Sequence, residues 1–243
     1  EGVATPTRTP DPDNAGGGKE PLVQSTSASP IIVVITGAAP LTERGLAAIP
    51  AGAYVVAADG ATDQARLAGV DPDLVVGDLD SISAASRRWA FEHAQVIEHD
   101  PAKNETDTEL AIAAARALRP ARLVLVAGGG DRLDHAIGAI GALGHRSLDH
   151  IAVVDACWGD DEIHVVRPHR PCTLQLAAGT TFSVLATHGP CRGVTIANAR
   201  WPLDDVELAP LVGIGISNEA GADPVTIAVT DGTATVIVPG AQP

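Results

Sequence analysis

The sequence has very little lysine and few aromatic residues. Its two lysines are Lys19 and Lys103, and aromatic side chains make up 2% of its 243 residues. A P-loop nucleotide site requires a lysine directly after a glycine-rich turn, and neither lysine follows such a turn. The sequence therefore excludes that type of nucleotide site, and the core has to be built from Ala, Val, Leu and Ile.

Positive charge is also scarce, since the formal net charge is −14 at pH 7. Nucleic acids and anionic membranes both require a basic surface on a protein that binds them. This composition argues against both as partners. An anionic substrate would need a local cluster of arginine or a metal ion to neutralise its charge.

Paired cysteines and long apolar runs are missing as well. Cys157, Cys172 and Cys191 form no C-x-x-C pair, which argues against a disulfide framework and a zinc site and fits a reducing compartment. No run approaches the roughly 18 apolar residues of a membrane span, and the amino end lacks the apolar core of a signal peptide. We therefore expect a soluble, cytoplasmic protein.

Composition divides the chain into three parts. Residues 1–29 are rich in Pro, Gly, Ser and Thr and predict a disordered tail, because they can bury too little apolar surface. Residues 30–157 alternate strand and helix patterns, which predicts an α/β domain with a Rossmann-like parallel sheet. Residues 158–243 contain short strand-like segments between Gly, Pro and Asp turns, which predicts a small antiparallel β-sandwich.

The hydrophobic pattern also predicts individual elements. The expected strands of the first domain are 31–35, 54–58, 74–76, 95–98, 123–127 and 151–154, and the expected helices are 41–49, 62–68, 84–93 and 107–118, with one more whose face carries Leu133, Ile137 and Ile140. Thr106 and Glu109 match a capping box at the start of one helix. The expected strands of the second domain are 163–166, 172–176, 181–186, 191–196, 225–229 and 234–238.

Two carboxylates follow the predicted strand 74–76. Asp78 and Asp80 are one residue apart, and Gly77 allows the backbone to turn before them. In an extended backbone both side chains point to the same side, and Mg²⁺ prefers a few carboxylates completed by substrate phosphates. The alternative is a plain turn in which Asp78 caps the next helix and Asp80 is solvated.

Further acids follow the neighbouring predicted strands. Asp59 follows the second strand, Asp107 the fourth and Asp134 the fifth. Ligands of parallel sheets bind at the carboxyl ends of the strands, and the topology places these acids on that edge. Because so many carboxylates would repel one another in a concave site, the pattern favours a metal site over a role in solubility.

Basic groups occur in two of the same connections. A glycine turn at residues 128–130 precedes Arg132, so free backbone N–H groups and a bidentate donor could bind a phosphate. Lys103 lies four residues before Asp107. The alternatives are an ordinary turn with an Arg–Asp surface pair, and a lysine that is simply solvated.

Two segments of the second domain carry polar or aromatic groups of interest. Trp201 is a rare aromatic residue next to Pro202, and Ser217 and Asn218 follow a glycine-rich stretch. A tryptophan beside a proline more often packs in a core or corner than binds a ligand.

Six motifs together resemble those of the thiamine pyrophosphokinase family. They are Ala58-Asp59-Gly60, Val76-Gly77-Asp78-Leu79-Asp80-Ser81-Ile82 preceded by Pro72-Asp73, Lys103-Asn104-Glu105-Thr106-Asp107, Arg132-Leu133-Asp134-His135, Trp201-Pro202-Leu203 and Ile216-Ser217-Asn218-Glu219. The similarity covers residues 31 to 238. The departures from the family pattern are Leu79, Asn104 and Asp131, and Asp131 affects the turn before Arg132.

The resemblance implies transfer of a pyrophosphoryl group from ATP to the hydroxyl of thiamine, with release of AMP. It implies Mg²⁺ as cofactor, and it places the metal ligands at Asp78, Asp80 and Asp107, with Asp59 beside them. The nucleotide and its phosphates would be bound by Lys103, Thr106, Arg132 and His135. Asp134 would either accept the proton of the thiamine hydroxyl or face the cationic substrate.

For thiamine itself, the resemblance implies stacking on Trp201 and hydrogen bonds to Ser217 and Asn218. It also implies a homodimer in which the sandwich of one subunit completes the cleft of the other. Two alternatives remain at this point: another Mg²⁺-dependent, nucleotide-using transferase with a D-x-D site, and a catalytically inactive sensor that binds thiamine or a nucleotide.

Overall fold

The computed structural model describes residues 30–130 and 132–240. The predicted tail at residues 1–29 lies outside the described residues, and so does Asp131. Among the described residues, no helix is both long and apolar enough to cross a membrane.

Helices and strands alternate through the first part of the chain, and strands dominate the rest. The helices are α1 (Glu43–Ala47), α2 (Ala61–Leu67), α3 (Ala84–His93), α4 (Asp107–Ala117) and α5 (Leu133–Gly144), with short 3-10 turns at Arg146–Leu148 and Gly213–Gly215. The first seven strands are β1 (Ile31–Thr36), β2 (Tyr54–Ala58), β3 (Leu74–Gly77), β4 (Gln95–Glu98), β5 (Arg122–Ala127), β6 (Val153–Trp158) and β7 (Asp161–Val166). The last seven are β8 (Cys172–Leu174), β9 (Thr181–Leu185), β10 (Cys191–Ala197), β11 (Leu203–Leu208), β12 (Asn218–Glu219), β13 (Val225–Ala228) and β14 (Ala234–Val238).

Six strands form the parallel half of a large sheet, in the order β6-β5-β1-β2-β3-β4. The alternating residues of β1 show how both faces are covered. Ile32 and Val34 belong to a core with residues of α4 and α5, whereas Val33 and Ile35 belong to a core with residues of α2. The chain turns back between β1 and β5, and such a switch point is where doubly wound sheets bind their ligands.

The same sheet continues beyond β6 with antiparallel strands in the order β7-β14-β9-β12. A second, four-stranded antiparallel sheet has the order β11-β10-β13-β8, and residues of both sheets share one apolar core that includes Phe182, Val194 and Val236. The α/β fold with a following β-sandwich is therefore confirmed. The expected boundary between residues 157 and 158 falls at the end of β6.

Most expected elements are present, with three corrections. The sixth strand was expected at residues 151–154 but is Val153–Trp158, because the fully buried Ile151 precedes the strand instead of belonging to it. Strands β11 and β12 were not predicted, since Asp204 and Asp205 interrupt the alternation of β11 and β12 has only two residues. Helix α5 contains Leu133, Ile137 and Ile140 as expected, but Leu133 and Ile137 are exposed rather than packed.

The C-terminal end of α5 joins the two parts of the chain. Arg167 is buried and its Nη2 donates to the Leu143 carbonyl oxygen at 2.9 Å. His188 Nε2 donates to the Ile140 carbonyl oxygen at 3.0 Å, and a Cβ atom at Gly144 would overlap the His188 imidazole. These contacts place donors on the carbonyl groups that the end of a helix leaves unpaired.

Candidate functional site

Three carboxylates meet at the carboxyl ends of β2 and β3. Asp59 directly follows β2, Asp78 follows β3, and Asp107 is the first residue of α4. One oxygen from each lies within 4.8 Å of the other two. Helix α4 starts at this place because Thr106 and Glu109 form the expected capping box, so the cap fixes the position of Asp107.

Gly77 permits this convergence of β2 and β3. A Cβ atom at position 77 would lie 2.7 Å from Asp59 Cβ and 3.3 Å from Asp107 Oδ1. Real Cβ atoms do not approach other carbon atoms so closely, and Asp59 is held in place because its backbone N–H donates to the Val76 carbonyl oxygen at 2.8 Å. Any larger residue at position 77 would therefore push the carboxylates apart.

Asp59 carries the least compensated charge of the group. Its side chain is 3% exposed, its Oδ2 accepts from the Ser81 backbone N–H at 3.2 Å, and its Oδ1 is buried without a hydrogen-bond partner among the described residues. Burial raises the pKa of Asp59, and the nearby charges of Asp107 and Asp78 raise it further. A bare buried oxygen in a set of hard ligands fits a divalent cation such as Mg²⁺.

Lys103 lies between two of these carboxylates. Its Nζ is 2.9 Å from Asp78 Oδ2 and 2.7 Å from Asp107 Oδ1, and its side chain is 12% exposed. Burial lowers the pKa of Lys103, but the two carboxylates outweigh this effect and leave the pKa raised. The hydrogen bond from Lys103 holds the pKa of Asp78 below its ordinary value. The lysine is thus a partner of the acid cluster and not a solvated surface group.

Asp80 lies outside the group of three. The sequence argument assumed an extended backbone between Asp78 and Asp80, but Leu79 has a φ of 61° and is buried. The Asp80 backbone N–H donates to Asp78 Oδ1 at 3.3 Å, and the Asp80 Oδ1 accepts from the Ser81 hydroxyl at 2.8 Å. The cap of the following helix is Ser83, so Asp78 does not have the capping role that the alternative assigned to it.

A cleft of about 430 Å³ opens beside the carboxylates. Its lining comes from the ends of β1, β2, β5 and β6 and from the starts of α4 and α5, and consists of Thr36, Gly37, Ala38, Ala39, Ala58, Asp59, Gly60, Ala61, Ser81, Thr106, Asp107, Thr108, Gly129, Gly130, Arg132, His135 and Trp158. The cleft therefore spans the switch point between β1 and β5. Of the carboxylate group, Asp59 and Asp107 face it.

The glycine turn after β5 shapes one wall of the cleft. A Cβ atom at Gly128 would overlap the carbonyl oxygens of Ala39 and Pro40, and Gly129 and Gly130 have φ values of 84° and 137°. Only glycine adopts such angles at little cost. The turn consequently brings its backbone close to the loop after β1 and adds no side chain to the wall.

Arg132 and His135, the expected nucleotide-binding residues, line the cleft, and Asp134 lies beside Arg132. The Arg132 guanidinium donates to both carboxylate oxygens of Asp134, at 2.9 and 2.7 Å. This pair holds the pKa of Asp134 well below its ordinary value. A carboxylate with a low pKa is a weak proton acceptor. The pair with Arg132 therefore makes Asp134 a poor base for the thiamine hydroxyl.

Trp158 is a cleft residue that the sequence reasoning missed. It is the last residue of β6, and it lines the cleft together with the glycine turn. The predicted sixth strand ended at residue 154, so Trp158 fell outside the set of strand-end residues. The available signal was a rare aromatic residue directly before Gly159, at the point where the next turn begins.

Trp201, Ser217 and Asn218 lie together in the sandwich. The Asn218 side chain is buried, accepts from the Trp201 backbone N–H at 3.1 Å and donates to the Trp201 carbonyl oxygen at 2.7 Å. Trp201 is half exposed, and the Arg200 guanidinium lies 4.6 Å from the centre of its ring. Asn218 therefore fixes the backbone of Trp201. The Trp201 ring already contacts one cation, the Arg200 guanidinium.

The sandwich residues and the carboxylates are far apart within one chain. Asn218 is on β12, seven strand positions away from β2 in the ten-stranded sheet. At a spacing of about 4.8 Å per strand, this corresponds to roughly 34 Å. A single chain accordingly does not bring Trp201, Ser217 and Asn218 to the acid cluster.

Comparison with known protein families covers both halves of the chain. The family model described as the catalytic domain of thiamin pyrophosphokinase matches residues 48–154. The family model described as the vitamin B1 binding domain of thiamin pyrophosphokinase matches residues 162–234. A search of curated protein sequences found no significant match.

Solved structures show the same fold. Thiamine pyrophosphokinase from Bacillus subtilis superposes with a TM-score of 0.74 at 21% sequence identity, over 87% of this chain and 100% of that chain. The enzyme from Geobacillus thermodenitrificans gives a TM-score of 0.71 at 22% identity, over 87% and 98%. Thiamin pyrophosphokinase from Candida albicans gives a TM-score of 0.69 at 13% identity, over 86% and 88%. From the two matching domains, this chain belongs to the thiamine pyrophosphokinase family.

Proposed function

We propose that Asp59, Asp78 and Asp107 bind the Mg²⁺ that supports the reaction of this family, the transfer of a pyrophosphoryl group from ATP to the hydroxyl of thiamine. The chain is an ATP-dependent diphosphotransferase, and AMP is the second product. The observation that carries the metal assignment is the convergence of three carboxylates within 4.8 Å, one with a bare buried oxygen, beside a cleft at the switch point. Mg²⁺ would neutralise the charge of the phosphate oxygens as they react.

In this proposal Asp80 supports the metal site but is not one of its three direct ligands. Its backbone N–H donates to Asp78 Oδ1, which orients one of the three ligands. Its carboxylate is exposed and lies within two residues of the cluster, so it would contact the ion through water. This arrangement gives Asp80 a smaller role than the sequence pattern gave it.

The phosphate groups of ATP would be bound by the basic and polar residues around the cleft. Thr106, Arg132 and His135 line the cleft. Lys103 Nζ lies 2.7 Å from Oδ1 of the cleft residue Asp107, so Lys103 and Arg132 would supply the positive charges. Without ATP, Lys103 forms ion pairs with Asp78 and Asp107. We infer that its side chain moves to the phosphates when ATP binds. Phosphoryl transfer depends mainly on positioning and charge neutralisation, so these contacts provide most of what the reaction requires.

Of the two roles considered for Asp134, we favour contact with the cationic substrate. Its salt bridge to Arg132 lowers its pKa, which weakens it as a base but preserves its negative charge. Once Arg132 turns to the phosphates of ATP, this negative charge would attract the thiazolium ring of thiamine.

We infer that thiamine binds to Trp201 of a second copy of this chain, which makes the enzyme a homodimer. Trp201 is roughly 34 Å from the acid cluster along the sheet of its own chain. The sandwich also exposes Leu211, Val212, Ile214 and Ile216, and this segment leads into Asn218, which is hydrogen-bonded to the Trp201 backbone. The exposed Leu133 and Ile137 on α5 lie next to the cleft residues Arg132 and His135. Joining these two apolar surfaces would bury both and bring Trp201 to the cleft.

The cysteines support the proposed cytoplasmic location. Cys157, Cys172 and Cys191 are all free thiols, and Cys157 and Cys191 are buried. Burial raises the pKa of Cys172 to about 12. Unreactive free thiols suit a reducing compartment, where no disulfide is needed for stability.

Incubation of the purified chain with ATP, Mg²⁺ and thiamine tests the proposed activity directly. We expect equal amounts of AMP and thiamine diphosphate, and none when EDTA removes the metal. AMP or ADP formed with a different alcohol, and none with thiamine, would point to another Mg²⁺-dependent transferase. Tight binding of both substrates without any product would instead indicate a sensor.

A further inference from the structure

Trp158 occupies the end of the cleft that is most distant from the carboxylates. The strand ends that border the cleft come in the order β2, β1, β5 and β6, so Asp59 and Trp158 are three strand positions apart. This separation is about 14 Å at the usual strand spacing. An extended nucleoside triphosphate has a comparable length between its base and its terminal phosphates.

Packing of Trp158 and hydrogen bonds of Gly159 hold this strand end in place. The cleft wall next to it is formed by the backbone of the glycine turn. Its side chain packs against the core beneath β5 and β6. The next residue, Gly159, donates to the Ala127 carbonyl oxygen at 2.8 Å and accepts from the Thr42 hydroxyl at 2.8 Å. A Cβ atom at Gly129 would lie 3.2 Å from Gly159 Cα, so the glycine turn meets the strand end backbone to backbone.

Charge is distributed unevenly along the cleft. The carboxylates in its lining are Asp59 and Asp107, which lie at the end formed by β2 and α4. Alanine and glycine residues border the other end together with Trp158, and Arg132 and His135 at the start of α5 line the cleft after the glycine turn. A planar base therefore gains most on the indole face of Trp158, beside which the described lining has no carboxylate, whereas a cation such as thiamine gains most near Asp59 and Asp107.

We propose that Trp158 is the platform on which the purine base of ATP stacks, so that the triphosphate extends from β6 toward the carboxylates. This assignment deepens the proposed function and rests on it for the choice of nucleotide. Stacking on a flat aromatic face uses the π-surface that every purine has. The glycine turn between the base and the phosphates would then approach the middle of the nucleotide with backbone N–H groups only.

Binding calorimetry on the full chain, with Mg²⁺ and without thiamine, tests this proposal apart from turnover. For Trp158→Ala we expect the Kd for ATP to rise about tenfold, the typical effect of losing one stacked base. The Kd for inorganic tripolyphosphate, which has no base, should not change. Trp158→Phe should recover most of the ATP affinity. Phe91→Ala is the matched control, because Phe91 is an exposed aromatic residue on α3.

Loss of ATP and tripolyphosphate affinity in equal measure would overturn the proposal, and so would no loss of either. A higher KM for thiamine with an unchanged Kd for ATP would also overturn it, since Trp158 would then face thiamine. If ATP binds in the expected pattern but no AMP forms, the proposed function fails and the base site stands. If AMP forms and the ATP affinity is unaffected in Trp158→Ala, the base site fails alone.

A second measurement covers the case in which Trp158→Ala does not fold. The chain has three tryptophans, and the double variant Trp89→Phe, Trp201→Phe retains only Trp158. ATP should quench the fluorescence of this variant, because the base contacts the indole, and tripolyphosphate should not. Equal responses to the two ligands would contradict stacking.

Discussion

The Lys103 ammonium nitrogen lies 2.9 Å from Asp78 Oδ2 and 2.7 Å from Asp107 Oδ1, so one lysine bridges two of the three clustered carboxylates. A metal ion that uses these oxygens has to displace the lysine. The lysine therefore compensates the acid cluster in this structure, and under the proposed function it would become available for phosphate when the metal binds. Asp59, which Lys103 does not contact in these ion pairs, keeps its bare buried oxygen.

Lys103→Gln should separate metal binding from catalysis. Without nucleotide, the variant should bind Mn²⁺ at least about tenfold more tightly, because no ammonium group competes for the carboxylates. Its melting temperature in EDTA should fall, since Asp78 and Asp107 lose their counter-ion. Its turnover with ATP should also fall. Calorimetry and electron paramagnetic resonance with Mn²⁺ measure the first effect.

Lys103→Arg is the matched control, because it retains the positive charge and should keep the Mn²⁺ affinity near that of the wild type. Equal Mn²⁺ affinity in the wild type and in Lys103→Gln would show that the lysine does not compete with the ion.

Asp59→Asn should abolish most activity without harming the fold. We expect turnover to fall by at least about a hundredfold, because the charge stabilisation that a bound metal supplies is worth several kcal/mol. Its melting temperature in EDTA should hold or rise by about 2–4 °C, the shift that corresponds to roughly 1 kcal/mol in a chain of this size. The gain comes from removing a buried charge that has no partner on Oδ1.

Asp63→Asn gives the opposite result and serves as the control. Asp63 accepts from the Ser83 backbone N–H at 2.8 Å and from the Ser83 hydroxyl at 2.6 Å, and these bonds outweigh its partial burial and lower its pKa. Its amide variant should melt at a lower temperature and keep its activity. A clear loss of stability in Asp59→Asn would argue that Asp59 is structural.

His188 should make the stability of the contact between α5 and the sandwich depend on pH. Burial lowers the pKa of His188 below its model-compound value of 6.5, and the charge of Arg167 lowers it further, although the Ile140 carbonyl opposes the shift. The neutral ring suits its site, since Nε2 donates to Ile140 and Nδ1 can accept from the Thr187 hydroxyl at 2.7 Å. Its stabilising effect is present above pH 6.5 and is lost as the pH falls through the lowered pKa.

The melting temperature of the wild type should therefore drop between pH 7.5 and pH 5 by more than that of His188→Gln. A difference of about 1 kcal/mol at the lower pH corresponds to about 2–4 °C. His150→Gln is a suitable control, because His150 is exposed and its substitution should leave the pH dependence unchanged. Parallel curves for the wild type and His188→Gln would contradict the assignment.

The sequence predicts the strands and helices well where local patterns decide them. Strand β2 and helix α3 have the expected limits, and the capping box of Thr106 and Glu109 is present. The strand order was not predictable, because the return of the chain between β1 and β5 depends on packing between distant segments. That order decides which loops border the cleft. Trp158 was missed because the predicted sixth strand ended at residue 154, whereas β6 ends at Trp158.

The residues of the candidate site were likewise predictable only where local sequence patterns decide their position. Asp59, Asp78 and Asp107 were identified because parallel strands end on one edge. The separation of Asp80 from them results from the left-handed backbone at Leu79, which a single sequence does not reveal. The hydrogen bonds between the Asn218 side chain and the Trp201 backbone likewise depend on the pairing of β12 with the loop before β11.

Trp201→Ala tests the thiamine site and the proposed dimer together. A cation–π contact that excludes water is worth about 2 kcal/mol, so the KM for thiamine should rise more than tenfold. The KM for ATP should stay nearly constant, and Trp201→Phe should recover part of the loss. Steady-state kinetics with each substrate varied in turn measure these effects. Equal effects on both substrates, or failure to fold, would support a packing role for this tryptophan.

If two subunits share each site, two defective variants should rescue each other. The inactive Asp78→Asn protein supplies an intact Trp201, and the weak Trp201→Ala protein supplies an intact Asp78. After subunit exchange at equal concentrations, half of the dimers are mixed and one of the two sites in each is intact. We therefore expect about a quarter of the wild-type activity at low thiamine concentration. Mixing without any gain, after mass spectrometry has confirmed the exchange, would mean that each site is built within one chain.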